Sequence, residues 1–169
     1  SDIEQMEGVI SQFMDYARAE SGEEAVATDL GALLASIAAR QASIGRHIAS
    51  DIPALAPLLL RPKAITRAVT NLIDNAAKYA GGEISLRLCE DDKEIRIDIS
   101  DRGPGIPESE ADRLKRPFTR LETARTNATG TGLGLAIVDR IARLHDGQLH
   151  LLSNPGGGLL VRLTLPAKR

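Results

Sequence analysis

Three stretches of this chain carry residue types that do chemistry at usable spacings. The first is Gly130-Thr131-Gly132-Leu133-Gly134-Leu135, which runs directly into the helical pattern Ala136 to Ile141. Glycines remove the side chains that hold a ligand off the backbone, and the helix start behind them offers unpaired N–H groups and a positive dipole end to an anion. That outlines a phosphate cradle, although an isolated string of this kind also serves as a tight turn with no ligand. The second stretch lies on a helix expected from Pro62 to about Tyr79. There Ile65, Val69, Leu72, Ile73 and Ala76 gather on one side, and Asn71, Asn75 and Lys78 on the other. Asparagine competes for backbone hydrogen bonds inside a helix, so two of them four residues apart beside a lysine call for a reason. Either the face is simply solvated, or Asn75 offers its carbonyl oxygen to a hydrated Mg²⁺ while Lys78 faces phosphate with Asn71 alongside. The third stretch is Asp101-Arg102-Gly103-Pro104-Gly105-Ile106-Pro107, at the end of a strand. A carboxylate fixed there accepts from the exocyclic amine of adenine while the glycines let a flat base approach. Guanine would set a carbonyl oxygen against it, so the expectation is ATP over GTP. The bland alternative is a turn-initiating aspartate before a Gly/Pro bend.

The elements that must position these groups read as follows. Ile3, Met6, Ile10, Phe13 and Ala17 follow the three-four spacing of a coiled-coil seam that stops at Ser21-Gly22. Two heptads are marginal alone, so this helix packs either on a partner helix or on its own globular domain. A short strand at Ala25 to Ala27 precedes an N-cap at Thr28 or Asp29 and a helix with Leu30, Leu33, Leu34 and Ile37 inward, ending near Ser43 to Gly45. His47 to Asp51 and Ala54 to Leu60 read as short strands, and Pro62 opens the asparagine helix. Gly81-Gly82 ends it. Alternation of Ile84, Leu86 and Leu88, a turn at Asp91-Asp92, and alternation of Ile95, Ile97 and Ile99 then form a hairpin with one buried face. Glu108 to Thr129 keeps neither period and carries Arg113, Lys115, Arg116, Arg120 and Arg125. Such a segment is either a linker or a lid that orders over phosphates, with Phe118 as the anchor. The last helix buries Leu133, Ile137, Ile141 and Leu144 and ends at His145-Asp146-Gly147. Strands Gln148 to Ser153 and Leu159 to Leu165 follow, joined by Asn154-Pro155-Gly156-Gly157-Gly158. The fold class is α+β, with a mixed, mostly antiparallel sheet and helices on one face.

Composition removes other functions. The 169 residues are 43% hydrophobic, enough for one globular domain plus an appendage, and the two Phe, two Tyr and no Trp leave an aliphatic core with no platform for stacking bases. A formal charge of −2 with interspersed signs argues against a phosphate-backbone footprint, hence against nucleic acid. The single Cys89 has no disulfide partner and fits a reducing compartment. No apolar run reaches the roughly 18 residues of a membrane span, so a membrane anchor of the parent protein would lie outside this chain.

Taken together, Asn71-Leu-Ile-Asp-Asn75-Ala-Ala-Lys78-Tyr79, Asp101-Arg-Gly103-Pro-Gly105-Ile106, Arg116-Pro-Phe118-Thr-Arg120 and Gly130-Thr131-Gly132-Leu133-Gly134 resemble the N box, first glycine box, F box and second glycine box of sensor histidine kinases, most of all the osmosensor type. Four boxes in order are far more specific than one, and the resemblance spans about residues 25 to 166. It implies a Bergerat-type α/β sandwich, shared with gyrase, mismatch-repair and heat-shock chaperone ATPases. It also implies that Asn75 binds Mg²⁺, Asp101 reads adenine, Gly130 to Gly134 contacts phosphates, and Phe118, Arg120 and Arg125 belong to a mobile lid. Residues 1–22 resemble the second helix of the dimerisation and phosphoacceptor hairpin, and 23–169 the catalytic domain. The expected partners are a phosphoacceptor histidine, a response regulator and a second copy through the opening helix. The expected setting is the cytoplasmic side of a bacterial inner-membrane protein. The family's phosphoacceptor motif is absent, and His47, His145 and His150 are expected to be structural. Lys115 stands where the family often has a first Phe, and the lid is slightly longer. The expected reaction is transfer of the ATP γ-phosphoryl group to a histidine outside this chain. The alternatives are an ATPase of the shared fold or a nucleotide-binding module without turnover. Hydrolysis is disfavoured because Asn71 stands where such ATPases carry a water-activating glutamate.

Overall fold

The structure is a computed structural model that describes residues 2–18, 22–80, 82–105, 109, 115 and 134–169. In chain order the elements are α1 (Asp2–Arg18), β1 (Val26–Thr28), α2 (Leu30–Ser43), β2 (Ile48–Asp51), β3 (Leu58–Leu60), α3 (Pro62–Ala80), β4 (Ile84–Glu90), β5 (Glu94–Ser100), α4 (Gly134–Leu144), β6 (Gln148–Ser153) and β7 (Leu159–Pro166).

Five strands form the main sheet in the order β2-β4-β5-β7-β6; β2 runs parallel to β4 and the other pairs are antiparallel. The alternation read from the sequence fixes which face is buried. Ile84, Leu86, Leu88, Ile95, Ile97, Ile99, Leu149, Val161, Leu163 and Leu165 all point under the helices. From the helical side they meet Ile65, Val69, Leu72 and Ile73 of α3 and Ile137, Val138 and Ile141 of α4. Among the described residues the core is aliphatic, in keeping with the few aromatics of the sequence. On the open face charged residues sit opposite one another across strands, and Arg162 grips Asp98 through both carboxylate oxygens at 2.9 and 3.0 Å.

A two-stranded antiparallel ribbon, β1 with β3, lies beside this sandwich and is tied to the C-terminus by Leu59 N–H donating to Lys168 O at 2.8 Å. The strands expected at 47–51 and 54–60 are shorter than their composition suggests. His47 is exposed and precedes β2. Pairing before Leu58 is lost because Pro53 and Pro57 have no N–H to give a ladder. Asp29 is the cap of α2, its Oδ1 accepting from Ala32 N–H at 3.0 Å. Leu33 of α2 and Leu144 of α4 are half-buried rather than core, and α4 instead turns Ala136, Val138 and Ala142 inward. The small residues let α4 lie close along α3.

The start of α3 is capped from a distance. The Glu23 carboxylate accepts from Lys63 N–H at 2.9 Å and Ala64 N–H at 3.0 Å. Arg61 then donates to Glu23 O at 2.8 Å and to Leu144 O at 3.1 Å, joining the segment after α1 to the start of α3 and the end of α4. Helix α1 runs against α4, yet Ile3, Met6, Ile10 and Met14 stay exposed, so this domain does not cover that apolar row. No described helix is long and apolar enough to cross a membrane.

Candidate functional site

The amide face of α3 exists because the opposite face is fully used. Ile65, Val69, Leu72 and Ile73 are 1% exposed or less, and this burial fixes the rotation of the helix about its axis. Asn71 and Asn75 are consequently half-buried and Lys78 exposed in the last turn. Tyr79 lies in the same turn. Gly134, the first residue of α4, approaches Asn75 so closely that a Cβ there would sit 3.4 Å from Asn75 Oδ1 and 3.6 Å from its Nδ2. The amide and the first residue of α4, 59 positions apart in the chain (134 − 75), are thus neighbours. The N-terminal N–H groups of α4 open beside that amide. Asn71 Nδ2 is buried and has no hydrogen-bond partner among the described residues. A buried donor without an acceptor costs about 1–3 kcal/mol, an expense a folded protein carries where something else satisfies the group.

Asp74 also lies on α3, one residue before Asn75, and pairs with Arg46, which donates as well to Gln41 Oε1 at 3.1 Å. That pairing leaves the amides beside it with a neutralised neighbour.

Asp101 follows directly on β5 and is 7% exposed. Its Oδ1 accepts from Gly103 N–H at 2.9 Å and Leu159 N–H at 3.0 Å, which fixes the carboxylate within its loop. Its Oδ2 has no donor among the described residues. Gly103 is half-buried, and Gly105 takes a φ of 73°, a left-handed conformation that suits glycine. Of the remaining residues singled out from the sequence, Ile106, Phe118, Arg120, Arg125, Gly130, Thr131, Gly132 and Leu133 lie outside the described residues, as does most of the segment 108–129. Lys115 is half-buried.

Of the three histidines, His145 has a structural role. His145 is buried at the end of α4. Its Nε2 accepts from Arg61 N–H at 3.0 Å, so Nδ1 carries the proton and donates to Ile141 O at 2.8 Å. Burial is the main cause that pushes its pKa below the ordinary 6.5. His47 is exposed before β2, and His150 stands on the open face of the sheet opposite Arg162. No group of three or more metal-ligating His, Cys, Asp or Glu occurs among the described residues. A magnesium ion held at Asn75 would take its amide oxygen together with water and phosphate. The half-buried Asn75 carbonyl fits that chemistry, since Mg²⁺ keeps most of its waters and needs few protein oxygens, and the Asn71 Nδ2 donor fits a phosphate or water oxygen rather than the ion.

Two positions that hold this site were not singled out from sequence. Glu23 caps α3 across 40 residues and Asn154 donates to Asp101 O across 53. Neither has a local signature beyond an acidic residue after a helix and a turn-forming Asn-Pro.

A helix face of amides, the start of a second helix behind a glycine loop, and a buried carboxylate at a strand end, all on an α+β sandwich, define the ATP-binding domains of the Bergerat class. A family profile described as histidine kinase-, DNA gyrase B-, and HSP90-like ATPase matches residues 61–169, and the chain belongs to that family. It carries the ATP-binding catalytic domain of the sensor histidine kinase type. It is 33% identical to the adaptive-response sensory kinase SasA of Synechococcus sp. (strain JA-3-3Ab) over 99% of this chain and 47% of that protein, so it spans about half the length of such relatives. It is 35% identical to the histidine kinase domain of the E. coli osmosensor EnvZ, covering 89% of this chain and 93% of that one at a TM-score of 0.66. The mycobacterial sensor histidine kinase MprB superposes with a TM-score of 0.73 at 26% identity, covering 85% of this chain and 98% of that one.

Proposed function

We propose that this chain binds Mg²⁺-ATP between the Asn71–Asn75–Lys78 face of α3 and the Gly130–Gly134 loop, and transfers the γ-phosphoryl group to a histidine outside it. The observation that carries the reading is the approach of Gly134 to Asn75 beside the orphaned Asn71 amide. In it Asn75 would hold the metal, which when bound would supply charge neutralisation at the phosphates. Lys78 and the lid arginines Arg120 and Arg125 offset the remaining charge, and Phe118 docks the lid. Asn71 orients the reacting end, with Tyr79 flanking it. Asp101, Gly103, Gly105 and Ile106 receive adenine; Gly130, Thr131, Gly132, Leu133 and Gly134 receive phosphate. The nucleophile is the substrate imidazole, whose nitrogen forms the P–N bond as the bond to the ADP oxygen breaks. The chain thus supplies positioning and electrostatics rather than a covalent group. Asn71 cannot take a proton from water as a glutamate would, which favours transfer over hydrolysis.

Residues 1–22 complete a phosphoacceptor hairpin and 23–169 form the catalytic domain. The exposed row Ile3, Met6, Ile10 and Met14 meets a partner helix, including that of a second copy. The phosphorylated histidine passes its group to a response regulator, and the parent protein is held at the inner membrane with this part in the cytoplasm. Recovery of the native protein in the inner-membrane fraction tests the last point.

The direct test mixes the chain with Mg²⁺-ATP labelled at the γ position and a separate histidine-bearing hairpin from its own protein. Acid-labile label on the hairpin is expected. Phosphate release without label would make it an ATPase, and tight binding with neither would make it a turnover-less module.

A further inference from the structure

The Asn154–Gly158 turn between β6 and β7 does more than reverse the chain. It closes on itself through Asn154 N–H to Gly158 O at 3.0 Å and Gly157 N–H to Asn154 O at 2.9 Å. Its three glycines take φ values of 87°, 113° and 98°, all left-handed, so the path is built for close approach. What it approaches is the loop that begins at Asp101. A Cβ on Gly158 would lie 2.1 Å from Asp101 O, and one on Gly105 would lie 3.2 Å from Gly158 O, so the two loops interlock backbone to backbone. Arg102 Nη1 donates to Pro155 O at 2.9 Å and Asp101 N–H to Leu159 O at 2.9 Å. From the turn's side, Asn154 Nδ2 donates to Asp101 O at 2.8 Å, a second side-chain link beside that of Arg102.

These bonds decide how the carboxylate is presented. Leu159 N–H, at the exit of the turn, is one of the two donors on Asp101 Oδ1. Hold the turn and the carboxylate rotamer is held; release it and one of its two restraints loosens. We propose that Asn154 is a positioning residue for base recognition. Its amide fixes the peptide after Asp101 and keeps Leu159 N–H on Oδ1, so that Oδ2 stands ready for the 6-amino group of adenine. This rests on the assignment of Asp101 as the base acceptor, and the experiment separates the two.

The measurement is the ratio of affinities for ATP and for purine riboside triphosphate, which lacks the 6-amino group, by calorimetry on the whole chain. The wild type is expected to prefer ATP by about tenfold, as one bond to a charged acceptor warrants. Asp101→Asn abolishes the preference, because Oδ1 must stay an acceptor for two N–H groups and the amide then turns a donor toward the amine. Asn154→Ala lowers the preference to about twofold or less while purine riboside triphosphate binds as before. Asn154→Asp, which keeps the side-chain volume but has no N–H to donate, does the same, so the result does not hang on one variant. If both Asn154 variants weaken the two nucleotides by one common factor, or leave the ratio at its wild-type value, Asn154 is merely structural and the proposal is overturned. If the wild type has no preference, or Asp101→Asn retains it, the base-reading assignment itself fails and the proposal falls with it.

Discussion

At the scale of single residues, the metal end of the proposed site rests on amides. Asn71 and Asn75 cannot change protonation, so any pH dependence of the reaction comes from elsewhere. In the proposed reading their value is geometric: a carbonyl that would bond a cation and an N–H that would donate, both held by a helix whose other face is locked in the core. Asn75→Ala removes the carbonyl on the solvent side of that helix while Leu72, Ile73 and Ala76 stay buried. Its predicted effect is a loss of roughly a hundredfold or more in Mg²⁺-ATP-dependent labelling of the histidine hairpin, with an unchanged far-ultraviolet spectrum and thermal midpoint. Labelling at the wild-type rate would remove Asn75 from the metal. These two asparagines were legible in the sequence because their residue type is unfavourable in a helix interior. Asn154 was not, because an asparagine before Pro-Gly is what any turn contains, and its partner Asp101 lies 53 residues away.

At the scale of elements, the period of the apolar residues decided most of the fold. Strands β4, β5 and β7 and helices α3 and α4 followed from alternation and helical spacing, since each has one face in the core. The misreadings fall where that signal thins. Ala54 to Pro57 is apolar enough for a strand, but prolines on either side remove the donors a ladder needs. The ribbon of β1 with β3 is made by partners 34 positions apart (60 − 26), which no local pattern announces. The C-terminus of α4 combines a local bond with a contact across 17 positions (164 − 147). Gly147 N–H donates to Ala142 O at 2.7 Å after Asp146 has turned to a φ of 59°, and a Cβ at Gly147 would come within 2.0 Å of Thr164 O on β7. Gly147→Ala is therefore expected to destabilise the domain by about 3 kcal/mol, read as the shift in urea midpoint. A change under about 0.5 kcal/mol would mean that β7 yields freely at that point.

At the scale of the whole molecule, His145 links three parts of the chain: α4, the start of α3 through Arg61, and the segment at Glu23. Its pKa is lowered chiefly by burial and further by Arg61, against opposing pulls from the Ile141 carbonyl, Glu23 and Asp146. The folded protein thus keeps it neutral where the unfolded chain would take up a proton. Its contribution to stability is complete above the ordinary value of 6.5 and drains away as pH falls below that, since the unfolded state then binds the extra proton. The thermal midpoint is predicted to drop between pH 7 and pH 5, and His145→Gln to show a shallower drop over the same range. Equal slopes would assign the pH dependence to other groups. The carboxylates held low, Asp91 by the Lys93 and Glu94 N–H groups and Asp146 by Lys168, act in a more acid window and do not confuse the reading.

The claim on which the account depends is that one nucleotide, with magnesium, lies between the α3 amides and the glycine loop that leads into α4. Calorimetric titration with ATP, with and without magnesium, on the wild type and Asn75→Ala tests it most directly. The account predicts magnesium-dependent binding to the wild type that the substitution reduces to the magnesium-free level. Binding that is indifferent to both magnesium and Asn75, or no binding at all, would contradict it.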